Sequence, residues 1–303
     1  MNCRHCKTPL THTFLDLGFA PPSNAYLTAE QLTQPETKFP LKLYVCDHCW
    51  LVQTEDVTAA DKLFTNDYAY FSSVSQGWLS HAERYCHQIT QRLQLDQNSF
   101  VIEVAANDGY LLKNFVAAAI PCLGIEPTDS TADHAEKLGV PILREFFGQQ
   151  LAQELTEQGK QADLIIGNNV YAHVPDINDF TAGLKTLLSN EGTITLEFPH
   201  LLQLIQYRQF DTVYHEHFSY LSFTTVCQIF DQAGLRIFDV EALPTHGGSL
   251  RIYACHEDDK RNTQPTFVSL LAEEKTFGLS TLSTYTGFQC CAEQIKQGLH
   301  DFL

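Results

Sequence analysis

Residues 214–222 read YHEHFSYLS: two histidines flank a glutamate, with tyrosines at 214 and 220. Imidazole has an unperturbed pKa of about 6.5, so it can take up a proton near neutral pH. Three readings fit these residue types. His215 and His217 on one strand would share a face and could bind a metal, although no third ligand stands nearby. Histidine on an apolar stretch can also be a satisfied core residue. In the third reading, Glu216 and His217 form an acid–base centre with Tyr214. Two other stretches carry ligand chemistry. CRHC (3–6) and CDHC (46–49) are C-x-x-C units with 39 residues between them. The short spacing lets both sulfurs of a pair face one ion, and four thiolates close a tetrahedral Zn²⁺ site. Cys3, Cys6, Cys46 and Cys49 are therefore the expected ligands of a structural zinc. The gap exceeds the common 15–20 residues, so a small strand-bearing lobe is expected to fill it. Unligated thiols or redox pairs are the alternative. The other six cysteines lack such spacing and read as core or helix-face residues.

These residues need elements to position them. Residues 1–60 are rich in turns and form the expected metal lobe. Residues 61–260 form a second region, in which 61–98 are a helical lead-in and the rest alternates strand and helix patterns. FVIEVA (100–105), CLGIEP (122–127), PILREFFG, ADLIIGNN (162–169) and GTITLEFP read as successive strands. Helical patterns lie between them, and Asp176 is suited to cap the helix DINDFTAGLKTLLSN. LRIFDVEAL and GSLRIYACH read as a last strand pair joined around HGG. Alternation of this length argues for an α/β fold with a parallel, doubly wound sheet. Residues 261–303 look helical to the end.

Composition narrows the function classes. The chain has 303 residues, 44% hydrophobic, enough for a sizeable core. A net charge of −17 would repel phosphates, which argues against nucleic acid and anionic membranes as partners. No stretch approaches the roughly 20 apolar residues of a membrane span. MNCRHCKTPL lacks the apolar run of a signal peptide, and ten cysteines without one point to a reducing, cytoplasmic setting.

The loop after the first strand of the second region runs Glu103, Val104, Ala105, Ala106, Asn107, Asp108, Gly109, Tyr110. A dinucleotide fingerprint requires G-x-G-x-x-G; tyrosine at its last place argues against NAD. The loop instead resembles E-x-G-x-G-x-G, the first motif of S-adenosylmethionine (SAM) methyltransferases, with Ala105 and Asn107 in two glycine places. Alanine permits close approach, and asparagine tolerates unusual backbone angles. Glu126, beside Pro127, ends the next strand 21 residues after Ala105, where a carboxylate can accept ribose hydroxyls. Asn107, Asp108 and Gly109 would hold the amino-acid end of the cofactor. Phe146 and Phe147 could flank its adenine or simply be core. Asn169, in NNVYAHVPD, would face the methionyl part. Phe71 could lie over the sulfonium by cation–π attraction.

Taken in order, the two C-x-x-C pairs, DLGFAPPSNAYL, DYAYFSSVS, EVAANDGYLL, LGIEPT, NNVYAHVPD, EFPHLLQLI, YHEHFSYLS and HGGSLR resemble a known family. It is the zinc-containing nucleotide-sugar C-methyltransferases, which methylate C3 of 4-keto-deoxysugars in bacteria. The resemblance implies a Rossmann-like SAM-dependent methyltransferase sheet with an N-terminal zinc lobe. It implies a nucleotide-sugar substrate, for example one linked to dTDP. It places the acid–base centre at Tyr214, Glu216 and His217, the active-site histidine at His173, and the substrate-side tyrosine at Tyr68, with Tyr70 as rival. Methylating carbon next to a ketone requires an enolate, so a base near neutral pKa is needed, and His217 is assigned that role. His246 and Arg251 in HGGSLR are expected substrate contacts, with the glycines turning the chain. Family members continue into a further α/β domain, to which residues 261–303 would lead. Methylation of oxygen or nitrogen, or a zinc-containing scaffold with an inactive fold, are the competing readings.

Overall fold

A computed structural model of the protein describes residues 1–24, 26–55 and 70–303. Two sheets organise it. The first begins with β1 (His12–Ala20), β2 (Phe39–Val45) and β3 (Val52–Thr54), paired antiparallel. The second collects β4 (Val101–Val104), β5 (Cys122–Ile125), β6 (Ile142–Leu143), β7 (Ala162–Asn168) and β8 (Leu188–Pro199) as parallel neighbours. β4 is buried at all four residues and β7 at six of seven, as expected for strands covered on both faces. The short strand β9 (Ser219–Tyr220), from the YHEHFSYLS stretch, joins the first sheet, with Tyr220 opposite Val52. β10 (Leu235–Leu243) and β11 (Ser249–His256) complete the second sheet, whose order is β10-β11-β8-β7-β4-β5-β6.

The sheet is therefore mixed rather than all parallel. The turn at Thr245–Gly247 folds β11 back on β10, and β11 then pairs antiparallel with β8. A tight hairpin can only give antiparallel strands, whereas each parallel neighbour needs a crossover. The helix expected to run past Leu187 stops there, because Leu188 becomes extended and pairs with Ala162. Its start is as expected: the Asp176 carboxylate accepts from the N–H groups of Asn178 (3.2 Å) and Asp179 (3.1 Å). After β11 the chain forms helices Pro265–Phe277, Leu282–Thr286 and Phe288–Phe302. They return to the first sheet, where Phe288 stacks on Phe14 at 4.7 Å and Tyr285 on Trp50 at 6.0 Å. Among the described residues no helix is long and apolar enough to cross a membrane.

The metal lobe is built from two matched turns. Lys7 N–H bonds to the Cys3 carbonyl and Trp50 N–H to the Cys46 carbonyl, both at 3.0 Å. Lys7 and Trp50, each just after a second cysteine, share left-handed backbone, with φ of 63° and 62°. The turns bring Cys3, Cys6, Cys46 and Cys49 together, their sulfurs all within 4.8 Å of one another. The Cys3–Cys49 and Cys6–Cys46 sulfurs are each 3.5 Å apart. Tetrahedral zinc with Zn–S near 2.3 Å needs about 3.8 Å between sulfurs, so the four thiols fit the ion. Without a cation, hydrogen bonds from Cys46 and Cys49 favour the thiolate at Cys3, while the bond to Cys3 pushes Cys46 up to about 11. Only a cation lets all four ionise together. The native protein should carry one zinc per chain by metal analysis. Cys46→Ser should lose it and lower the melting temperature by at least about 5 °C; full stability without metal would show the cluster to be four plain thiols.

Candidate active site

β4 ends at Val104, and the next turn carries three residues in left-handed backbone: Ala105 (φ 58°), Asn107 (φ 49°) and Gly109 (φ 76°). The two places where the motif ordinarily has glycine thus keep the glycine conformation without the glycine. That costs roughly 1–2 kcal/mol at a non-glycine residue, less for asparagine. Contacts hold the turn. Asn107 N–H donates to the Glu126 carboxylate at 2.9 Å, and Ala106 N–H to the Ile125 carbonyl at 3.1 Å. The Asn107 side chain accepts from Ser72 N–H (2.9 Å) and donates to the Tyr70 carbonyl (3.1 Å). Asp108 accepts from Ser73 N–H at 3.0 Å. Gly109 is required for a second reason. A Cβ there would sit 3.0 Å from Ala135, so any side chain would push away the helix Asp129–Lys137.

A cavity of about 630 Å³ opens at the carboxyl ends of β4, β5, β7 and β8, where open α/β sheets bind ligands. Ala105, Asn107, Glu126, Pro127, Phe147 and Asn169 all line it. Phe146 lines it too, while Phe147 also packs edge-on against Phe180 at 5.1 Å. Glu126 is buried and already accepts from Thr128 N–H at 3.0 Å as well as from Asn107. Several buried polar atoms in and behind the wall lack hydrogen-bond partners among the described residues: both oxygens of Glu103, Asp108 Oδ1, both side-chain polar atoms of Asn168, and Asn169 Oδ1. Burial, then the charges of Glu126 and Asp108, push the Glu103 carboxyl well above its ordinary range. Of these groups, the Asn168 and Asn169 side chains line the cavity, where a polar ligand would satisfy them. The size, the left-handed turn and the strand-end carboxylate fit SAM. Four expected contacts do not line the cavity. Glu103, Asp108 and Gly109 shape the wall without lining it. Phe71 faces away, its ring 5.9 Å from that of His134.

Tyr214, Glu216, His217 and His173, the residues expected to form an acid–base centre, meet on the other side of the cavity. YHEHF is not a strand but a turn, closed by His217 N–H bonding to the Tyr214 carbonyl at 3.1 Å. The two histidines therefore do not share a face. The His215 ring bonds to the Pro40 carbonyl at 3.2 Å, whereas His217 lines the cavity. Among the described residues the cysteine cluster is the one set of three or more His, Cys, Asp or Glu placed to hold a metal. His217 Nδ1 lies 3.0 Å from the Thr212 carbonyl, which can only accept, so Nδ1 carries the proton. Nε2 is then the bare nitrogen, and it accepts from the Tyr214 hydroxyl at 2.8 Å. Burial first, and then His173, hold the His217 pKa well below 6.5. The His173 ring is centred 4.6 Å from that of His217, and burial lowers its pKa too. Glu216 accepts from Ser23 Oγ (2.8 Å) and Asn24 Nδ2 (2.9 Å). Burial raises the Tyr214 phenol. Tyr70 lines the cavity and is half exposed; Tyr68 lies outside the described residues.

The HGGSLR stretch divides. His246 reaches the cavity, in left-handed backbone and edge-on to Trp78 at 5.1 Å. Arg251 does not line the cavity. It is buried against Glu197, 2.6 Å away, and lies over the Tyr85 ring at 4.3 Å. Although burial raises the Glu197 carboxyl, His81 and Arg251 hold it below the ordinary range. Trp78 and Thr212 join the site without a distinguishing motif, whereas Asn168 opens NNVYAHVPD and Ser23 and Asn24 belong to PPSN.

Comparison with known proteins agrees with this architecture. Residues 3–64 match a zinc-binding domain model, residues 78–240 a methyltransferase domain, and residues 244–303 a C-methyltransferase C-terminal domain. The chain is 30% identical to the C-methyltransferase NovU of Streptomyces niveus over 301 residues, 99% of this chain and 71% of that protein. The PH0226 protein of Pyrococcus horikoshii OT3 shares the fold at 13% identity, with a TM-score of 0.50 over 62% of this chain and 94% of its own. Magnesium protoporphyrin IX methyltransferase of Synechocystis PCC 6803 with bound SAH aligns at 17% identity and a TM-score of 0.46, covering 59% of this chain and 84% of that one. The chain belongs to the zinc-containing, SAM-dependent C-methyltransferases.

Proposed function

We propose that the protein methylates carbon, C3 by its likeness to the sugar enzymes, on a nucleotide-linked 4-keto-deoxysugar, with His217 as the proton acceptor. The observation that carries this reading is the fixed tautomer of His217: Nδ1–H is spent on Thr212, and Nε2 faces Tyr214. A carbon acceptor has no lone pair and needs such a base; an oxygen or nitrogen acceptor needs it far less.

SAM, when bound, supplies the electrophilic methyl group. Glu126 would take its ribose hydroxyls, Phe146 and Phe147 would flank the adenine, and Asn107, Asn168 and Asn169 would hold the amino-acid end. The chain's own residues then handle the proton. The hydrogen on the carbon beside the ketone passes to the Tyr214 oxygen as the Tyr214 proton passes to His217 Nε2, in one concerted movement. Concert is needed because burial makes a free phenolate costly. The bond electrons left on carbon delocalise onto the ketone oxygen as an enolate. His173, whose ring lies beside that of His217, would donate to that oxygen, and one preformed donor of this kind is worth about 2.7–4 kcal/mol of barrier. Glu216, held by Ser23 and Asn24, would bind a sugar hydroxyl or amine. Its polar surroundings, with Asp211 and Thr212, suit a hydroxyl-rich acceptor.

Three outcomes are expected. In D₂O without SAM, the protein should exchange deuterium into the carbon beside the ketone of a dTDP-linked 4-keto-deoxysugar. His217→Asn and Tyr214→Phe should each slow that exchange by about 10²–10⁴-fold while S-adenosylhomocysteine binding changes little. Exchange at the normal rate in either variant would remove that residue from the proton path, and equal loss of cofactor binding would make it structural. The pH profile gives a third outcome. His217 acts as neutral imidazole, and its pKa is lowered by burial. Protonation, and with it loss of rate, should therefore begin only below pH 6.5. An acid limb centred above that value would show another group to be limiting.

A further inference from the structure

Arg4 and His5, the two residues between the ligands of the first cysteine pair, are not needed to bind a metal, yet both are buried. The Arg4 guanidinium donates from Nη1 to the Pro175 carbonyl (2.7 Å) and from Nη2 to the Thr54 carbonyl (3.1 Å), and it lies 5.4 Å over the Phe218 ring. Its main-chain N–H donates to Gln53 Oε1 at 2.9 Å, and Gln53 Nε2 donates to the Cys3 sulfur at 3.3 Å. A buried guanidinium is tolerated only where acceptors hold it. One acceptor, Pro175, belongs to the segment that carries His173; the other, Thr54, lies on β3 of the metal lobe, which is itself bonded to the segment that carries His217.

Pro175 closes the stretch bearing His173, two residues away. Phe218 follows His217 directly. Thr54 tightens the second link: its N–H donates to the Phe218 carbonyl (3.1 Å) and its hydroxyl to the His217 carbonyl (3.3 Å). His5 adds a reciprocal pair, its Nδ1 2.8 Å from Asn178 Oδ1 and its carbonyl accepting from Asn178 Nδ2 at 2.9 Å. Asn178 lies in the first turn of the helix Ile177–Leu187, just beyond the His173 stretch.

We infer that Arg4 is a positioning residue for methyl transfer, joining the metal lobe to both the His173 and the His217 segments and so setting the spacing of the two imidazoles. The inference rests on the proton-acceptor role of His217 proposed above. Misplacing reacting groups by about 1 Å can cost about 10²-fold in rate without touching cofactor affinity.

The test is Arg4→Ala in the full-length, zinc-loaded protein, with Arg4→Lys as the conservative partner and Arg4→Gln should the alanine variant not fold. Three quantities are read: deuterium exchange into the dTDP-linked 4-keto-deoxysugar, calorimetric binding of S-adenosylhomocysteine, and the ¹⁵N resonances of the His217 ring. Arg4→Ala should slow exchange by about 10²-fold, leave the S-adenosylhomocysteine dissociation constant within about twofold, and turn the single Nδ1–H tautomer into a mixture. Arg4→Lys, which can reach one carbonyl, should recover about tenfold of the rate. An unchanged tautomer and rate in Arg4→Ala would overturn the inference. So would parallel loss of rate and cofactor affinity, the mark of a merely structural role. If the wild-type protein exchanges nothing while Arg4→Ala still disturbs the His217 resonances, the proposed chemistry fails and the positioning link stands.

Discussion

The proposed chemistry depends on one main-chain carbonyl, that of Thr212. By accepting from His217 Nδ1, Thr212 leaves Nε2 as the only nitrogen able to take a proton. Burial does the complementary work. Water would stabilise an imidazolium, and its exclusion keeps the ring neutral and receptive. If the ring turned over, Nε2 would carry the hydrogen, the bond from Tyr214 would be lost, and the cavity would hold a donor where the proposed reaction needs an acceptor.

The fold brings that ring to the cofactor cavity by using both sheets. The Rossmann-like sheet supplies Glu126, Asn168 and the left-handed turn at its carboxyl edge. The smaller sheet holds the opposite wall, because the chain after the YHEH turn leaves as β9 and pairs with β3 of the metal lobe. The lobe therefore does more than cover the domain. Its hairpin contributes Ser23 and Asn24 to Glu216, its first knuckle meets the His173 and His217 segments through Arg4 at Pro175 and Phe218, and the C-terminal helices brace it from behind through Phe288 and Tyr285. Thiol chemistry, strand pairing and the position of an imidazole are coupled in one structure.

Much of this was legible in the sequence because it rests on local patterns. Buried strands announce themselves as apolar runs, Asp176 as a helix cap, and paired cysteines by their spacing. The motif loop was readable despite its departures, since Ala105 and Asn107 adopt the backbone that glycine would. What was not legible depends on distant partners. Nothing in GSLRIYACH says that β11 will slot between β8 and β10. The H-x-H pattern suggested a strand, but the stretch is a turn, and the rings part. Arg251 looked available to the substrate, yet Glu197, far away in the chain, takes it into the interior. Phe71 turns toward His134 instead of the cofactor side. Thr212 acts through its carbonyl, which every residue possesses, so no side-chain signature could reveal it.

The most direct test of the central claim is a crystal structure of the protein with S-adenosylhomocysteine and a dTDP-linked 4-keto-deoxysugar. On this account the carbon beside the ketone lies about 3–3.5 Å from the Tyr214 oxygen, on the face opposite or adjacent to the cofactor sulfur's line of approach, with His217 Nε2 directly behind that oxygen. A ring sealed off from the acceptor, or bound to an ion of its own, would contradict it.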